Sequence, residues 1–303
     1  MRRVVGLTAV GVSLFLLTTA VMGWFYAPGA LKKTPLDTDS WTYLAGTATY
    51  LDKGPAPVKA WSHNRVDGGA STDNVAVFDA VTCLVWDEGS TWSDGADSAP
   101  CFDDTDSRLI NGPADPPDHF AADRTSGLSL PESDNATYKV TLTHDGLVNK
   151  FPFSTQKKDY PFWDGVLGRA VTATYSGTEK LDGLDTYTFV ISLADEGAEI
   201  AKDTMGTYSL DKTMWIDPAT GSIIKQSEHQ VRTLDSGDAA LDMELAFTDD
   251  QVARNVSSAK SSGGLLSAAL TVAPLAAAVV GVLAGVLALV MLRPATGGGR
   301  RRG

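Results

Sequence analysis

Two uncharged apolar stretches, one near each end and each bordered on its outer side by arginine, constrain this chain more than any other feature. Residues 4–26 carry no charged side chain and follow Arg2 and Arg3. Residues 265–292 are likewise uncharged and precede Arg293, Arg300, Arg301 and Arg302. A helix needs roughly 20 apolar residues to cross about 30 Å of hydrocarbon, and both stretches are long enough. Arginine flanks are retained in the cytoplasm, so a two-pass protein of the plasma membrane with both termini inside is expected. The expected parts are an N-terminal transmembrane helix over 1–27, an extracytoplasmic domain over 28–262, a C-terminal transmembrane helix over 263–292 and a basic cytoplasmic tail over 293–303.

Ala27-Pro-Gly-Ala30 offers small residues for cleavage, so a signal peptide competes with an anchor for the first stretch. The apolar run exceeds the roughly 7–15 residues of a signal core, and Trp24, Phe25 and Tyr26 form an aromatic interface belt. Both points favour the anchor. In the second stretch Pro274 predicts a kink or a helix start near Ala273. Gly281 and Gly285 make a GxxxG helix-packing face, for which the N-terminal helix is the nearest partner.

Charge is distributed as export requires. Six of the 25 basic residues lie in the tails, which leaves 19 against 37 acids in the middle, a net of about −18 where the whole chain carries −12. Such a surface repels phosphate backbones, and nucleic-acid binding is excluded. Cys83 and Cys101 are the two cysteines. An even pair in an oxidising compartment, with neither Cys-x-x-Cys spacing nor a nearby histidine, is expected to form a disulfide.

The middle of the chain reads as mainly β. Runs at 40–50, 74–86, 138–142, 171–175, 186–191, 213–216, 222–226 and 242–247 are rich in β-branched and aromatic residues. Asp217-Pro-Ala-Thr-Gly221 specifies a tight hairpin between two of them. Short turns without a βαβ rhythm predict a twisted antiparallel sheet or half-barrel between the two transmembrane helices. Residues 87–132 form an Asp-, Gly-, Ser- and Pro-rich excursion, and a short helix is expected near 195–203.

Catalytic grammar is missing from the sequence. His63, His119, His144 and His229 show no metal-ligand spacing and read as surface or capping residues. No Gly-x-Ser-x-Gly elbow or phosphate-binding Gly-rich loop occurs. The acidic run Asp103-Asp-Thr-Asp106 lacks the glycine and closing glutamate of a calcium loop and reads as solvated. No enzyme activity, metal or cofactor is expected. Phe151, Phe153, Tyr160, Phe162, Trp163 and Trp215 are bulky rings, several beside prolines; they suit either a ligand-pocket lip or an ordinary core.

Lys150-Phe-Pro-Phe153, Lys158-Asp-Tyr160, Asp164 and Leu184-Asp-Thr-Tyr-Thr-Phe189 resemble an actinobacterial envelope family labelled porin PorA-like. The likeness extends to the N-terminal helix, Asp123-Arg-Thr-Ser-Gly127, Trp215-Ile-Asp-Pro-Ala-Thr-Gly221 and the C-terminal helix. The cysteine pair and its acidic loop fall outside the pattern. The resemblance implies a role in lipomannan and lipoarabinomannan assembly. A pore is the less favoured expectation, because a spanning barrel needs many apolar-banded strands of about 9–11 residues. The sheet also resembles, at fold level, the half-barrels of envelope lipid carriers. The function expected is therefore membrane-anchored binding of a lipid or glycolipid. The alternative is a ligand-free scaffold that recruits membrane glycosyltransferases through its transmembrane helices.

Overall fold

A computed structural model describes residues 1–89, 101, 105–112 and 117–293. The chain divides into two compact units, one of Met1–Lys32 with the chain from Ser262 onward, the other Lys33–Ser261.

The first unit is helical: α1 (Arg2–Phe25), the short α2 (Ala27–Leu31), a π-helical turn (Ala268–Val272) and α5 (Ala273–Leu292). The α1 and α5 helices are both long and apolar enough to cross a membrane. Pro274 lies in the first turn of α5. Having no N–H, it cannot continue the α-helical ladder from the preceding turn, and the backbone widens there. Small residues bring the two helices together. A Cβ on Gly281 would lie 3.1 Å from Leu17, one on Gly285 3.0 Å from Ser13 Oγ, and one on Gly23 2.4 Å from the Pro274 ring. Arg2 donates to the Val290 carbonyl at 2.9 Å, satisfying a C-terminal carbonyl of α5. Phe15, Leu14, Val282 and Leu289 point outward as an apolar coat.

The second unit is built on one open antiparallel sheet. Its strands are β1 (Asp39–Tyr50), β2 (Lys53–Val66), β3 (Val75–Trp86), β4 (Leu109–Asn111), β5 (Asp118–Asp123), β6 (Tyr160–Asp164), β7 (Arg169–Leu181), β8 (Leu184–Ala201), β9 (Thr204–Ile216), β10 (Ile223–Leu234) and β11 (Ala239–Phe247). Their order is β4-β3-β2-β1-β11-β10-β9-β8-β7-β6, with β5 also on β3. First and last strands pair at the centre, Leu44 opposite Phe247 and Tyr50 opposite Leu241. Between β5 and β6 lie a 3-10 turn (Glu132–Asp134) and α3 (Asn135–Tyr138); α4 (Asp249–Ser267) follows β11. Val256 and Ala259 of α4 bury against Ile224.

The sheet is curled. Neighbouring strands lie about 4.8 Å apart, yet Asp164 on β6 meets Tyr208 on β9, three strands away, at 3.0 Å. Single bridges also run between its ends: Ala122 to Ser129, Leu128 to Leu147, and Leu147 to Phe162. The hydrogen bonds are Leu130 N to Ala121 O, Ser129 N to Gly146 O and Leu147 N to Pro161 O. Backbone groups that would otherwise stand open at β5 and β6 are thereby occupied.

Several sequence expectations need correction. Residues 138–142 are the end of α3 and irregular chain, not a strand. Residues 195–201 belong to β8, not to a helix. Bulges between Leu193 and Glu196 and between Glu199 and Ala201 break the alternation that would have revealed the strand. The 87–132 excursion holds β4 and β5 among its described residues. The β2 strand escaped notice because Pro55 and Pro57 sit near its start, where its ladder is least dependent on N–H donors.

Candidate functional site

The inner face of the curled sheet carries two apolar clusters with a polar stripe between them. One cluster gathers Phe151, Tyr160, Phe162, Phe189, Ile191, Leu210, Met214 and Ile216 from the β6–β9 side. The other gathers Ala48, Val58, Leu84, Trp86, Leu241, Met243 and Leu245 from β1–β3 and β11. Strand β10 separates them. Alternation puts Glu228, Gln230 and Arg232 on the inner face, opposite Leu245, Met243 and Leu241 of β11 and opposite Lys212, Leu210 and Tyr208 of β9.

These polar groups form a continuous chain. Arg232 Nε donates to Gln230 Oε1 at 2.9 Å, and Arg232 Nη1 donates to the Ile200 carbonyl at 3.1 Å. Gln230 Nε2 donates to the Tyr208 hydroxyl at 3.5 Å, and that hydroxyl donates to Asp164 Oδ2 at 3.0 Å. Asp164 Oδ1 accepts from Val166 N and Leu167 N. Beside the chain, Lys212 and Glu228 pair at 2.9 Å. Burial, helped by the Asp164 carboxylate, holds the Tyr208 phenol far above its ordinary range, so it remains a donor. Burial draws the Arg232 guanidinium below its ordinary value, against the pull of Asp164 and Glu228. The inner face thus combines two buried apolar clusters with a bonded polar chain between them.

A second node joins three sequence motifs. Asp217 accepts from Ala219 N, Thr220 N and Thr220 Oγ1, closing the hairpin. Gly221 takes φ +77°, and a Cβ there would lie 2.0 Å from the Phe151 carbonyl. Phe151 N donates to Gly221 O, and Thr155 N to Pro218 O, docking residues 151–155 on that hairpin. Asp123 likewise accepts from Thr125 N, Ser126 N and Ser126 Oγ. Lys150 Nζ lies 3.7 Å from the Phe153 ring centre and donates to Thr34 Oγ1 at 3.2 Å. Burial pushes the Lys150 ammonium down to about 7, with Asp123 opposing.

Of the six expected aromatic residues three come together, Phe151 packing on Tyr160 at 5.5 Å and on Phe162 at 5.8 Å between ring centres, and the other three lie elsewhere. Phe151, Tyr160 and Phe162 lie in the core with 0%, 7% and 5% exposure. Phe153 lies under Lys150. Trp163 packs on His144 at 4.6 Å between ring centres. Trp215 sits between the core residues Met214 and Ile216 and therefore faces the opposite side, where its Nε1 donates to Glu179 Oε2 and Lys225 covers its ring. None of the six lines the shallow outer depression of about 440 Å³ floored by Ala45, Gly46, Ser227 and Ala246 and edged by Asp211, His229 and Glu244. The polar chain itself was not legible in the sequence, although its anchor Asp164 belongs to the matched motif. The alternation Glu228-x-Gln230-x-Arg232 was the available signal: three polar residues where an inner face needs apolar ones.

Cys83 and Cys101 are disulfide-bonded, Cα–Cα 5.8 Å, and buried with Tyr43, Trp61 and Val85. Most of the acidic loop between them lies outside the described residues, as do Asp103 and Asp104 and the tail arginines Arg300, Arg301 and Arg302. His144 is 4% exposed rather than a surface residue. No group of three or more His, Cys, Asp or Glu side chains that could hold a metal ion occurs among the described residues.

The family model described as "Porin PorA" matches residues 5–290. A curated protein named Porin PorA, from Corynebacterium amycolatum, is 30% identical over 66 residues, 22% of this chain and 17% of that protein. Among solved structures, a LolA superfamily protein, NE2245 from Nitrosomonas europaea, aligns over 73% of this chain and 89% of its own at 9% identity. The TM-score is 0.16, too low to add to the functional argument.

Proposed function

This chain belongs to the Porin PorA family, and from that premise we propose a membrane-anchored, non-catalytic binder of a lipid or glycolipid. In this reading both termini are cytoplasmic and the sheet unit is extracytoplasmic. Its role is to support assembly of envelope lipoglycans of the lipomannan and lipoarabinomannan type. The observation that carries the reading is the amphipathic inner face, with its two apolar clusters divided by the Arg232–Gln230–Tyr208–Asp164 chain. An acyl chain gains about 0.8 kcal/mol for each CH₂ withdrawn from water. A headgroup needs polar partners held ready, and the stripe supplies them.

The family label does not imply a pore through this sheet. A spanning barrel is apolar outside and polar within. Here the polarity is reversed: Asp211, His229, Asp242 and Glu244 are exposed on the outer face, and Leu210, Met214 and Met243 are buried on the inner one. Recruitment of glycosyltransferases through Gly281 and Gly285 is also disfavoured, because Leu16, Leu17 and Ser13 of α1 occupy that face.

The test is lipid extraction and native mass spectrometry of the full chain purified in detergent from an actinobacterial host. A stoichiometric phospholipid or glycolipid, lost on replacing Arg232 by Met, is expected. A chain that carries no lipid and takes none up from added envelope lipids would overturn the reading.

A further inference from the structure

All four histidines bond to an aspartate, but in two different ways. His63 and His229 each engage one ring nitrogen, Nε2, with Asp39 and Asp242 at 2.8 Å. His119 and His144 engage both. His119 Nδ1 lies 2.7 Å from Asp79 Oδ1 and Nε2 3.1 Å from the Tyr138 carbonyl. His144 Nε2 lies 3.0 Å from Asp118 Oδ2 and Nδ1 2.9 Å from the Leu142 carbonyl. Carbonyls and carboxylates only accept, whereas a neutral imidazole has one N–H and one lone pair. Both bonds of each ring therefore exist together only when the pair holds one extra proton.

Both carbonyls belong to the same stretch of chain. Residues 131–145 leave β5, cross it and return towards β6. They are held by His119 and His144, by Thr141 N donating to His119 O and by His119 N donating to Thr141 Oγ1. The His144 ring fits between Phe120 (4.9 Å) and Trp163 (4.6 Å). We propose that residues 131–145 are a proton-dependent strap, latched on β5 by doubly protonated His119 and His144 and loosened as those protons leave.

Carboxylates face both rings. Asp79 faces His119 from β3, and Arg65 of β2 reaches the other oxygen of Asp79 at 3.3 Å. Burial alone would raise the Asp79 carboxyl; the bonds from His119 and Arg65 outweigh it and hold it below the usual range. Asp118 faces His144 from β5, and its Oδ1 is buried without a hydrogen-bond partner among the described residues. Its other oxygen, Oδ2, is the one that meets His144 Nε2. On the strap, Lys139 and Asp145 are exposed; β6 contributes only the uncharged Trp163. When a ring loses its second proton, a lone pair confronts an oxygen at about 3 Å and one of its two bonds is lost. The strap then uncovers Phe120 and Trp163, on which the His144 ring packs.

The test uses the full chain in detergent, with nitrogen-15 histidine. Ring-nitrogen shifts at pH 6 are expected to show two protonated nitrogens at His119 and His144. Amide exchange over 135–143, corrected for the intrinsic pH dependence, is expected to rise at least tenfold between pH 6 and pH 8.5. His63→Gln should leave that rise intact, and the pair His119→Gln and His144→Gln, which cannot take up the proton, should abolish it. Single-proton rings at both positions at pH 6, or pH-independent protection of the strap, would overturn the proposal.

Discussion

Replacing Tyr208 by Phe removes one oxygen from a side chain that is 1% exposed, with little change in volume. It takes the donor from Asp164 Oδ2 at 3.0 Å and the acceptor from the Gln230 amide at 3.5 Å. A hydrogen bond to a charged group contributes about 1.5–3 kcal/mol, and a buried group left unpaired costs about 1–3 kcal/mol. These are two views of one loss, so the variant should be destabilised by about 2–3 kcal/mol. In a unit of this size each kcal/mol moves Tm by about 2–4 °C, which predicts a fall of about 4–12 °C. Near-ultraviolet circular dichroism of the full chain in detergent reads this directly. Tyr187→Phe, at a ring packed edge-on to Tyr175, should stay within about 0.5 kcal/mol. A double-mutant cycle with Asp164→Asn should return a coupling of about 1–2 kcal/mol. A Tyr208→Phe protein as stable as wild type would refute the claim that Asp164 depends on that hydroxyl, and with it the continuity of the polar chain.

Other predictions follow from single contacts. Cys101→Ser should cost about 3 kcal/mol on the loop-entropy model for a separation of 18 residues, read as a lower Tm that reductant does not change further. Gly221→Ala must adopt φ +77° against the Phe151 carbonyl, and should lose at least about 2 kcal/mol by the same assay. Ser13→Cys with Gly285→Cys should crosslink within one chain under mild oxidation, seen as a mobility shift on gels; no crosslink would refute the α1–α5 register. Lys150 has its ammonium lowered from 10.5 to about 7. Folding therefore disfavours its charged form, and stability should rise as pH climbs from about 7 towards 10.5. Lys150→Met should remove that part of the rise in a pH series of melts.

Fold class and membrane helices were legible because they rest on local patterns. β-Branched and aromatic runs marked β1 and β3, alternation marked β7 and the first half of β8, the Asp217–Gly221 turn marked the β9–β10 hairpin, and uninterrupted apolar length marked α1 and α5. The two bulges hid the second half of β8, residues 195–201, and the prolines hid β2, since each breaks the period on which recognition depends. The site was less legible for a different reason. Phe151, Tyr160 and Phe162 announced themselves as large rings, but size cannot distinguish a pocket from a core; only the register of β6 against β7 and the docking of residues 151–155 decide it. Arg232, Gln230, Tyr208 and Asp164 come from three strands far apart in sequence, and no spacing rule connects them.

The pairing of β1 with β11 has a kinetic consequence. Leu44 finds Phe247 only after about two hundred intervening residues have been made, and such long-range closure is slow because loop entropy opposes it until the last strand arrives. During synthesis β1 stands with one edge bare until β11 has been made. The apolar side chains of β1 and β2 are then exposed. Truncation before Ala239 should leave β1 and β10 each without its partner, and such fragments should be substrates for holding chaperones and proteases rather than folded domains.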